Sequence, residues 1–357
     1  MKIGIVSPYL NTLGGGERYM LEIASHLSTV HNVSLFWDEK DIKEKAQQIL
    51  SINIHRVTLV PNIFSRTHSL YKKISISRKY DLLIFLSDGS IPLSLARYNL
   101  LHFQQPFRGI GGTSVLNVVK LSRYQRIVCN SEFTKRFIDQ EFTCSSDVLY
   151  PPVSVEKFHE GNKQQVILSV GRFHPFKKHH EMIRIFNKAS KQLNGWQLHL
   201  AGGLLKQDDN YFSELQHLTR SSSVRLLPNI SFSTLQKEYA SAMFYWHAAG
   251  FGEGENEHPE RMEHFGIAPV EAMAAGCIPL LFNGGGLREI IQSGKQGYLW
   301  NDEDECLEQM MQLIANKNLR ETIKASAIEK SKQFAQQEFY TKLDHIIQQI
   351  ISGKVHR

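Results

Sequence analysis

The chain has 357 residues, of which 42% are hydrophobic and 21% charged, and it carries a formal net charge of +6. This composition is typical of a soluble globular protein and excludes a disordered chain. No apolar run approaches the roughly 20 residues that span a bilayer, and neither zinc-finger spacing nor a basic helix with interleaved aromatic residues indicates a nucleic-acid partner. The length predicts two domains, each large enough for its own core.

The first half of the chain alternates short apolar runs with helical patterns, which is typical of a parallel sheet wrapped by helices. The predicted strands are Ile3–Ser7, Val33–Trp37, Val57–Val60, Leu82–Leu86, Leu100–Phe103, Ile127–Asn130 and Val148–Tyr150. The apolar start is too short for a signal peptide. A glycine-rich stretch, residues 11–16, joins the first strand to a helix that starts near Glu17. It lacks the G-x-G-x-x-G pattern of dinucleotide binding, so the residues alone leave open whether it is a flexible turn or a ligand loop.

His102 ends a predicted strand and leads into a Phe-Gln-Gln-Pro segment. A lone histidine is more often a structural residue than a functional one. Open α/β sheets bind their ligands at the carboxyl ends of their strands, however, so both roles stay open on the residues alone. Farther along, Asn130 or Ser131 is placed to cap a helix, which we interpret as structural.

Pro151 and Pro152 mark a border between the two halves, because paired prolines end a strand and stiffen the connection. We therefore predict domains at residues 1–155 and 156–335, followed by a last helix within residues 336–357. The second half repeats the alternation of strands and helices. Its predicted strands are Val166–Val170, Gln197–Ala201, Val224–Leu227, Phe244–Trp246 and Cys277–Phe282.

The positive charge is concentrated in the first domain. Residues 1–155 hold 18 Lys and Arg against 12 Asp and Glu, whereas the remainder holds 23 of each. Part of the excess is a cluster of Lys72, Lys73, Arg78 and Lys79 around two isoleucines. Such a cluster fits either an anionic membrane surface or a merely solvated helix face, and the excess also suits solubility.

The cysteines are Cys129, Cys144, Cys277 and Cys306. They lack metal-ligand spacing, and we interpret them as reduced thiols of a cytoplasmic protein. Asp208, Asp209 and the acidic run 302–304 suggest a metal, but we interpret both groups as solvated loop or helix-start acids and expect no metal. Lys178 is likewise expected to be only solvated. The acidic segment 248–261 fits a surface insertion with no assignable role.

The stretch Glu263–Gly286 combines two carboxylates, a helix start, a short apolar strand and three consecutive glycines. Gly266 is placed to open the helix, so Glu263 and Glu271 lie near a helix terminus whose free N–H groups favour negative charge. Gly285 and its glycine neighbours follow the strand, where their backbone N–H groups can approach phosphate oxygens. Each feature alone also fits exposed helix-end glutamates and a plain turn.

Taken together, the motif E-H-F-G-I-x-x-V-E-A-M-A-x-G-x-x-P, with seven residues between Glu263 and Glu271, resembles the signature of retaining, nucleotide-sugar-dependent glycosyltransferases of the GT-B fold. The G-R-x-x-x-x-K pattern of Gly171–Lys177 matches the same family. The resemblance covers nearly the whole chain, with its most specific motifs in the second domain. It implies an α/β architecture of two doubly wound Rossmann-like domains that face across a cleft, with the C-terminal helix crossing back to the first domain.

The resemblance also implies roles for individual residues. Glu263 would lie near the anomeric carbon and hydroxyls of the donor sugar, and Glu271 would bind the ribose. Arg172 and Lys177 would hold the donor diphosphate as a fork and a point charge. His102 would reach the donor sugar or the acceptor.

Further donor contacts follow from the same resemblance through the backbone. Phe265, Gly266 and Ile267 would present N–H groups to the sugar and its phosphate. Gly15 and Gly16 would belong to a loop that closes over the diphosphate. The first domain would bind the acceptor.

The implied reaction moves a mannosyl- or glucosyl-like sugar from a nucleoside-diphosphate sugar to a hydroxyl of a glycan or lipid-linked acceptor, without a cofactor or metal and with retained configuration. We expect a cytoplasmic enzyme, with peripheral contact to an anionic inner membrane face as one interpretation of its basic first domain. Two alternatives stay open: a nucleotide-sugar epimerase of the same fold, and a nucleotide-sugar-binding protein without turnover.

Overall fold

The computed structural model of the chain describes residues 1–11, 14–65, 67–220 and 223–353. The chain divides into two compact units. The first comprises Met1–Pro152 and the segment from Gln337 onward, and the second is Val153–Gln336. The division thus falls directly after the paired prolines, slightly ahead of the border at residues 155 and 156 that the sequence analysis places there.

The first unit is built on a seven-stranded parallel sheet with the order β3-β2-β1-β4-β5-β6-β7. Its strands are β1 (Lys2–Val6), β2 (Asn32–Phe36), β3 (Thr58–Val60), β4 (Leu82–Leu86), β5 (Tyr98–Phe103), β6 (Arg126–Cys129) and β7 (Asp147–Val148). Its helices before the border are α1 (Gly15–Leu27), α2 (Ile42–Lys45), α3 (Leu70–Ser77), α4 (Val115–Leu121) and α5 (Glu132–Phe142), with a π-helical turn at Ala46–Leu50. The strand order reverses beside β1, so right-handed crossovers place helices on both faces of the sheet.

The second unit has a six-stranded parallel sheet with the order β10-β9-β8-β11-β12-β13. Its strands are β8 (Gln164–Val170), β9 (Gln197–Gly202), β10 (Val224–Pro228), β11 (Ala242–His247), β12 (Ile278–Phe282) and β13 (Tyr298–Trp300). Its helices are α6 (His179–Lys188), α7 (Asp209–Leu218), α8 (Phe232–Ser241), α9 (Ile267–Ala274), α10 (Leu287–Ile290), α11 (Glu303–Ala315) and α12 (Lys317–Ser331), and the last helix of the chain is α13 (Gln336–Ser352). Short 3-10 turns lie at Val155–Lys157, Pro175–Lys177, Lys206–Asp208, Pro259–Arg261 and Lys332–Phe334.

Helix α13 packs on the first sheet although it follows the second unit in sequence. Its buried residues are Phe339, Leu343, Ile346, Ile347 and Ile350, which join one hydrophobic core with residues of β1, β2, β4 and α1. The Tyr340 hydroxyl also donates to the buried Glu22 carboxylate of α1 at 2.6 Å. The prediction that the last helix returns to the first domain is therefore confirmed.

The predicted fold class, two doubly wound α/β domains, is confirmed by these sheets. Every strand predicted from the sequence is present within a few residues of its predicted bounds. Strand β13 was missed because three residues between Gly297 and Asn301 give too short an apolar run to stand out. Within the described ranges, the longest and most apolar helices still fall short of what crossing a membrane requires.

Candidate active site

Several predicted site residues of the second unit lie where neighbouring strands end. Strand β8 runs into the Gly171–Lys177 segment, β11 ends at His247, and β12 runs into the glycine turn at Asn283–Gly286. Because β8, β11 and β12 are consecutive neighbours in a parallel sheet, their carboxyl ends share one edge. We call this the donor edge.

Glu263 is a carboxylate of the donor edge with two short hydrogen bonds. Its Oε2 atom accepts hydrogen bonds from Lys177 Nζ at 2.5 Å and from His247 Nε2 at 2.7 Å. Burial alone would raise the pKa of the Glu263 carboxyl, but the Lys177 ammonium and the His247 hydrogen bond outweigh it and hold that pKa well below its usual range. The carboxylate is therefore ionised throughout the neutral pH range.

The backbone of Glu263 rests on the glycine turn. The Gly286 N–H donates to the Glu263 carbonyl at 2.8 Å. Gly285 has a φ of +56°, and a Cβ there would lie 2.3 Å from the same carbonyl oxygen, so a larger residue would displace it. The three glycines thus allow a close approach between two backbone segments that fixes the position of Glu263.

Gly285, which is predicted to contact the donor, lies beside an acidic side chain in the structure. The Gly285 N–H donates to Glu255 Oε2 at 3.0 Å, and the same carboxylate pairs with Arg288 at 2.9 Å. Nearby, Glu253 pairs with Lys178 at 2.5 Å and with Arg261 at 3.1 Å. The acidic segment 248–261 is therefore tied to the donor edge by ion pairs, and the interpretation of Lys178 as merely solvated is wrong.

Helix α9 starts beside Glu263 and carries Glu271. Its N-cap residue is Gly266, with a φ of +111°, and no side chain caps the helix. Phe265 is buried against Phe334, with their ring centroids 5.4 Å apart, and Ile267 is the first helical residue. Glu271 accepts a hydrogen bond from the buried Tyr239 hydroxyl at 2.9 Å.

Arg172 and Lys177 provide positive charge at this edge. Lys177 ends a 3-10 turn, and Gly171 lets its stem lie close, since a Cβ at Gly171 would be 3.3 Å from Lys177 Cγ. Arg172 is half exposed, and its Nε lies 3.6 Å from Asp208 Oδ2. Asp208 is only 6% exposed, so the interpretation of Asp208 as a solvated acid is wrong: this buried carboxylate lies within ion-pair distance of Arg172. Asp302, by contrast, caps α11 by accepting from the Glu305 N–H at 2.9 Å, as a helix-start acid does.

The predicted residues of the first unit form their own group. His102 is buried, and its ring stacks on Tyr19 of α1 with centroids 4.1 Å apart. Its Nδ1–H donates to the Val128 carbonyl at 3.0 Å, and burial lowers its pKa to about 3. Gln104, two residues beyond, donates to the Gly16 carbonyl at 3.0 Å. The first turn of α1, with Gly15 and Gly16, therefore lies beside the end of β5, while residues 12 and 13 of the predicted loop lie outside the described residues.

Comparison with known proteins identifies the family. Residues 153–330, half of the chain, match the family described as "Glycosyl transferases group 1". A GDP-Man:Man(3)GlcNAc(2)-PP-Dol alpha-1,2-mannosyltransferase from Xenopus laevis is 29% identical, over 60% of this chain and 46% of that protein. The protein of the same name from Caenorhabditis elegans is 23% identical, over 87% of this chain and 83% of its own length. The chain belongs to the group 1 glycosyl transferases. It spans about half the length of several curated relatives that it matches.

Solved structures support the fold of this group 1 glycosyl transferase. Anabaena HepE in complex with UDP has a TM-score of 0.77 and 19% identity, covering 98% of this chain and all of that one. A glycosyltransferase from Rickettsia africae has a TM-score of 0.78 and 14% identity, covering 98% of both chains. At these identities the likeness shows the shared two-domain architecture.

The site of this group 1 glycosyl transferase contains residues that sequence reasoning missed. His247 is the last residue of β11, so the carboxyl-end argument applied to His102 could also have found it. Glu255 and Asp208 carried no such signal, because their partners Arg288 and Arg172 lie far away in sequence. The structure joins Glu263, Lys177 and His247 directly, and the roles expected of all the predicted site residues, including His102, Gly15 and Gly16, stay predictions.

Proposed function

We propose that this group 1 glycosyl transferase moves a sugar from a nucleoside-diphosphate sugar to a hydroxyl of a glycan or lipid-linked acceptor, with retained anomeric configuration. The observation that carries the proposal is the donor edge, where Glu263 and Lys177 are hydrogen-bonded and Arg172 lies on the same segment as Lys177. A fixed carboxylate together with two cations from one segment suits a substrate that is part sugar and part diphosphate. A mannosyl- or glucosyl-like sugar is supported by the relatives named for GDP-Man and by HepE, also solved with UDP-glucose.

Each residue then has a role in the reaction. Arg172 and Lys177 stabilise the negative charge that grows on the departing diphosphate, so the protein supplies this charge without a cofactor or metal. Glu263 binds the sugar, and Glu271 binds the ribose in ground and transition states alike. The glycosidic C–O bond breaks as the acceptor oxygen bonds to the same face of the anomeric carbon, and the acceptor proton passes to a phosphate oxygen of the leaving group.

This front-face route is favoured by the surroundings of Glu263. A double displacement of the kind used by retaining hydrolases needs a second carboxylic acid about 5 Å from the nucleophile. The groups that hold Glu263 are an ammonium and an imidazole instead. We therefore assign the proton transfer to the leaving phosphate.

The acceptor side is proposed to contact an anionic membrane surface, as a cytoplasmic protein would at an inner membrane face. Helix α4 has no buried residue, and its exposed apolar side chains are Val115, Leu116, Val118 and Val119. At the start of α3, Leu70 and Tyr71 are exposed as well. Helices α3 and α4 each follow a strand of the same parallel sheet, so both begin at the carboxyl edge of that sheet. Both also pack on the same core cluster, α3 through Ile76 and α4 through Leu121, so they lie on the same face of the sheet.

Unpaired positive charge accompanies these apolar side chains. Among the described residues, no carboxylate lies within ion-pair distance of Lys72, Lys73 or Lys120. Ile74 and Ile76, which the sequence analysis placed at the centre of the basic cluster, are half-buried instead. Exposed apolar residues with free lysines suit the headgroup region of an anionic bilayer better than open water.

A panel of GDP-, UDP- and ADP-sugars tests the proposed function. Calorimetry would measure which donor binds, and release of nucleoside diphosphate in the presence of acceptor extract would measure transfer. We expect one donor class to bind and to turn over only with acceptor. Donor binding with no transfer to any acceptor would instead support a nucleotide-sugar-binding protein.

A further inference from the structure

The two oxygens of the Glu263 carboxylate have different surroundings. Lys177 Nζ and His247 Nε2 both donate to Oε2. Among the described residues, Oε1 has no hydrogen-bond partner, yet it is not a fully buried unsatisfied atom, and the side chain is 15% exposed. The protein therefore saturates one oxygen of Glu263 and leaves the other accessible.

His247 is held in place from its far side. It is 3% exposed, and its ring lies nearly parallel to that of Tyr245, with centroids 6.2 Å apart. The Tyr245 hydroxyl lies 3.4 Å from His247 Nδ1 and 3.2 Å from the Val170 carbonyl oxygen, and its one hydrogen can be donated to either of these two acceptors. Burial lowers the pKa of His247 even though the Glu263 carboxylate opposes it, so the ring is neutral and carries one N–H. The 2.7 Å contact with Oε2 places that N–H on Nε2.

Lys177 must share its N–H donors between Glu263 and the donor diphosphate if it binds both. An ammonium has three N–H donors on a flexible stem, so it can turn part of its hydrogen bonding from Glu263 to a phosphate oxygen. The His247 ring, fixed within β11, has no such freedom. It is therefore the donor that stays on Glu263 when Lys177 turns to the phosphate.

We propose that His247 is a positioning residue: it holds Oε2 of Glu263 so that Oε1 contacts the donor sugar. It keeps this hydrogen bond while the Lys177 ammonium turns toward the diphosphate. The inference rests on the proposed function, because it needs a sugar beside Glu263. It adds a residue that acts through Glu263 without touching the substrate.

Two substitutions separate positioning from simple packing. His247→Gln keeps an N–H donor near the position of Nε2, whereas His247→Leu removes the donor. In His247→Leu we expect kcat to fall by about 10- to 100-fold, the scale of one hydrogen bond to a charged group, and donor KM to rise by no more than the sugar's own share of donor affinity. His247→Gln should recover most of that kcat.

A measurement of donor binding tests the role of His247 without relying on turnover. Calorimetry would compare the nucleotide-sugar with the free nucleoside diphosphate. His247→Leu should lose most of the extra affinity that the sugar contributes, while affinity for the free diphosphate stays at the wild-type value. If wild type binds donor but transfers nothing, the proposed function fails, and this difference still decides the role of His247.

His199 provides a matched control. It is a buried histidine of the same sheet, on β9, and its Nδ1 lies 2.6 Å from Glu238 Oε2. His199→Leu should leave kcat and the sugar increment unchanged, with urea unfolding used to check that every variant folds. The inference is overturned if folded His247→Leu matches wild type in kcat and sugar increment, if His247→Gln is as impaired as His247→Leu, or if His199→Leu shows the same losses.

Discussion

Two buried histidines at the carboxyl ends of parallel strands differ in what surrounds them. His247 ends β11 and donates to Glu263, which Lys177 also contacts. His102, near the end of β5, donates to a backbone carbonyl and stacks on Tyr19. A position at or next to the last residue of a strand thus gives a charged network in the second unit and a neutral aromatic stack in the first. Placement at a strand end brings a histidine to a ligand-binding edge, but side chains from distant parts of the sequence decide its chemistry.

The largest expected effect concerns the cations of the donor edge. Lys177→Ala should lower kcat by roughly 10²–10³-fold and raise KM less, because attraction to the diphosphate is worth more as its charge develops. Arg172→Lys should also lose activity, since a point charge replaces a planar fork. Steady-state kinetics with the donor found by the binding panel would measure both. Lys188→Ala, an exposed lysine paired with Asp304, is the control and should retain wild-type kcat.

Two results would contradict this expectation. Weaker donor binding with unchanged kcat would show that the cations act equally in ground and transition states. Full recovery of kcat in Lys177→Ala by added divalent metal would show that a metal ion can replace the positive charge of Lys177.

A smaller effect is expected at Glu271, the carboxylate proposed to bind the ribose. Glu271→Ala should weaken binding of the free nucleoside diphosphate by about 1.5–3 kcal/mol, the range for a hydrogen bond to a charged group. Calorimetry would measure this directly. Tyr239→Phe removes only the hydroxyl that donates to Glu271, so it should weaken binding less. Unchanged affinity in a folded Glu271→Ala protein would rule out the ribose role.

His102, which is neutral in the folded chain, should change how the free energy of unfolding depends on pH. Burial lowers the pKa of His102 in the folded chain from 6.5 to about 3. Between these two pH values the unfolded chain binds a proton at His102 that the folded chain does not bind. The stabilising contribution of His102 is nearly complete at pH 7 and declines as the pH falls through 6.5 toward 3, by about 2 kcal/mol between pH 7 and pH 5. Urea unfolding at pH 7 and pH 5 should therefore show a smaller pH difference in His102→Phe than in wild type. An equal pH difference in both proteins would mean that His102 titrates normally.

The smallest effect is expected at the proposed membrane surface. Replacing Lys72 and Lys73 with Gln should weaken binding to anionic vesicles by about 1 kcal/mol per lysine at low salt. Leu116→Ser with Val119→Ser should weaken it at any salt concentration, because burial of apolar area is not screened. Sedimentation with anionic and zwitterionic vesicles would measure both.

Val30→Ser is the control for the apolar substitutions. Val30 is exposed in the turn between α1 and β2, at the opposite edge of the same sheet, and its replacement should leave vesicle binding unchanged. If wild type shows no salt-sensitive binding to vesicles, the proposed membrane contact is wrong. The exposed face of α4 would then be expected to bind a protein partner.

The comparison of the two histidines also shows how far sequence reasoning reaches. Alternating apolar runs predicted the strands, because they are local patterns, whereas the roles predicted for Glu263 and Glu271 from their spacing stay predictions. The bond between His247 and Glu263 was not predictable, since it depends on the register of β11 against β12, where His247 lies opposite Leu281. A slip of one residue would turn His247 to the other face of the sheet.

The errors have the same origin. Asp208 was assigned to solvent because it lies in an acidic, polar stretch, yet the fold buries it against Arg172. Lys178 lies outside the family motif, yet Glu253 reaches it from a segment about 75 residues away. Local patterns indicate which residue types are present, whereas long-range packing selects their partners.

The most direct test of the account is transfer of labelled sugar from the bound donor to an acceptor extract by wild type and by Glu263→Gln. The account predicts acceptor-dependent transfer by wild type and a large loss in Glu263→Gln, whose amide cannot carry the charge that Lys177 and His247 contact. Affinity of the variant for the free nucleoside diphosphate should remain near the wild-type value, since Glu271, Arg172 and Lys177 are intact. Transfer by Glu263→Gln at the wild-type rate, or no transfer by wild type with a donor that it binds, would contradict the account.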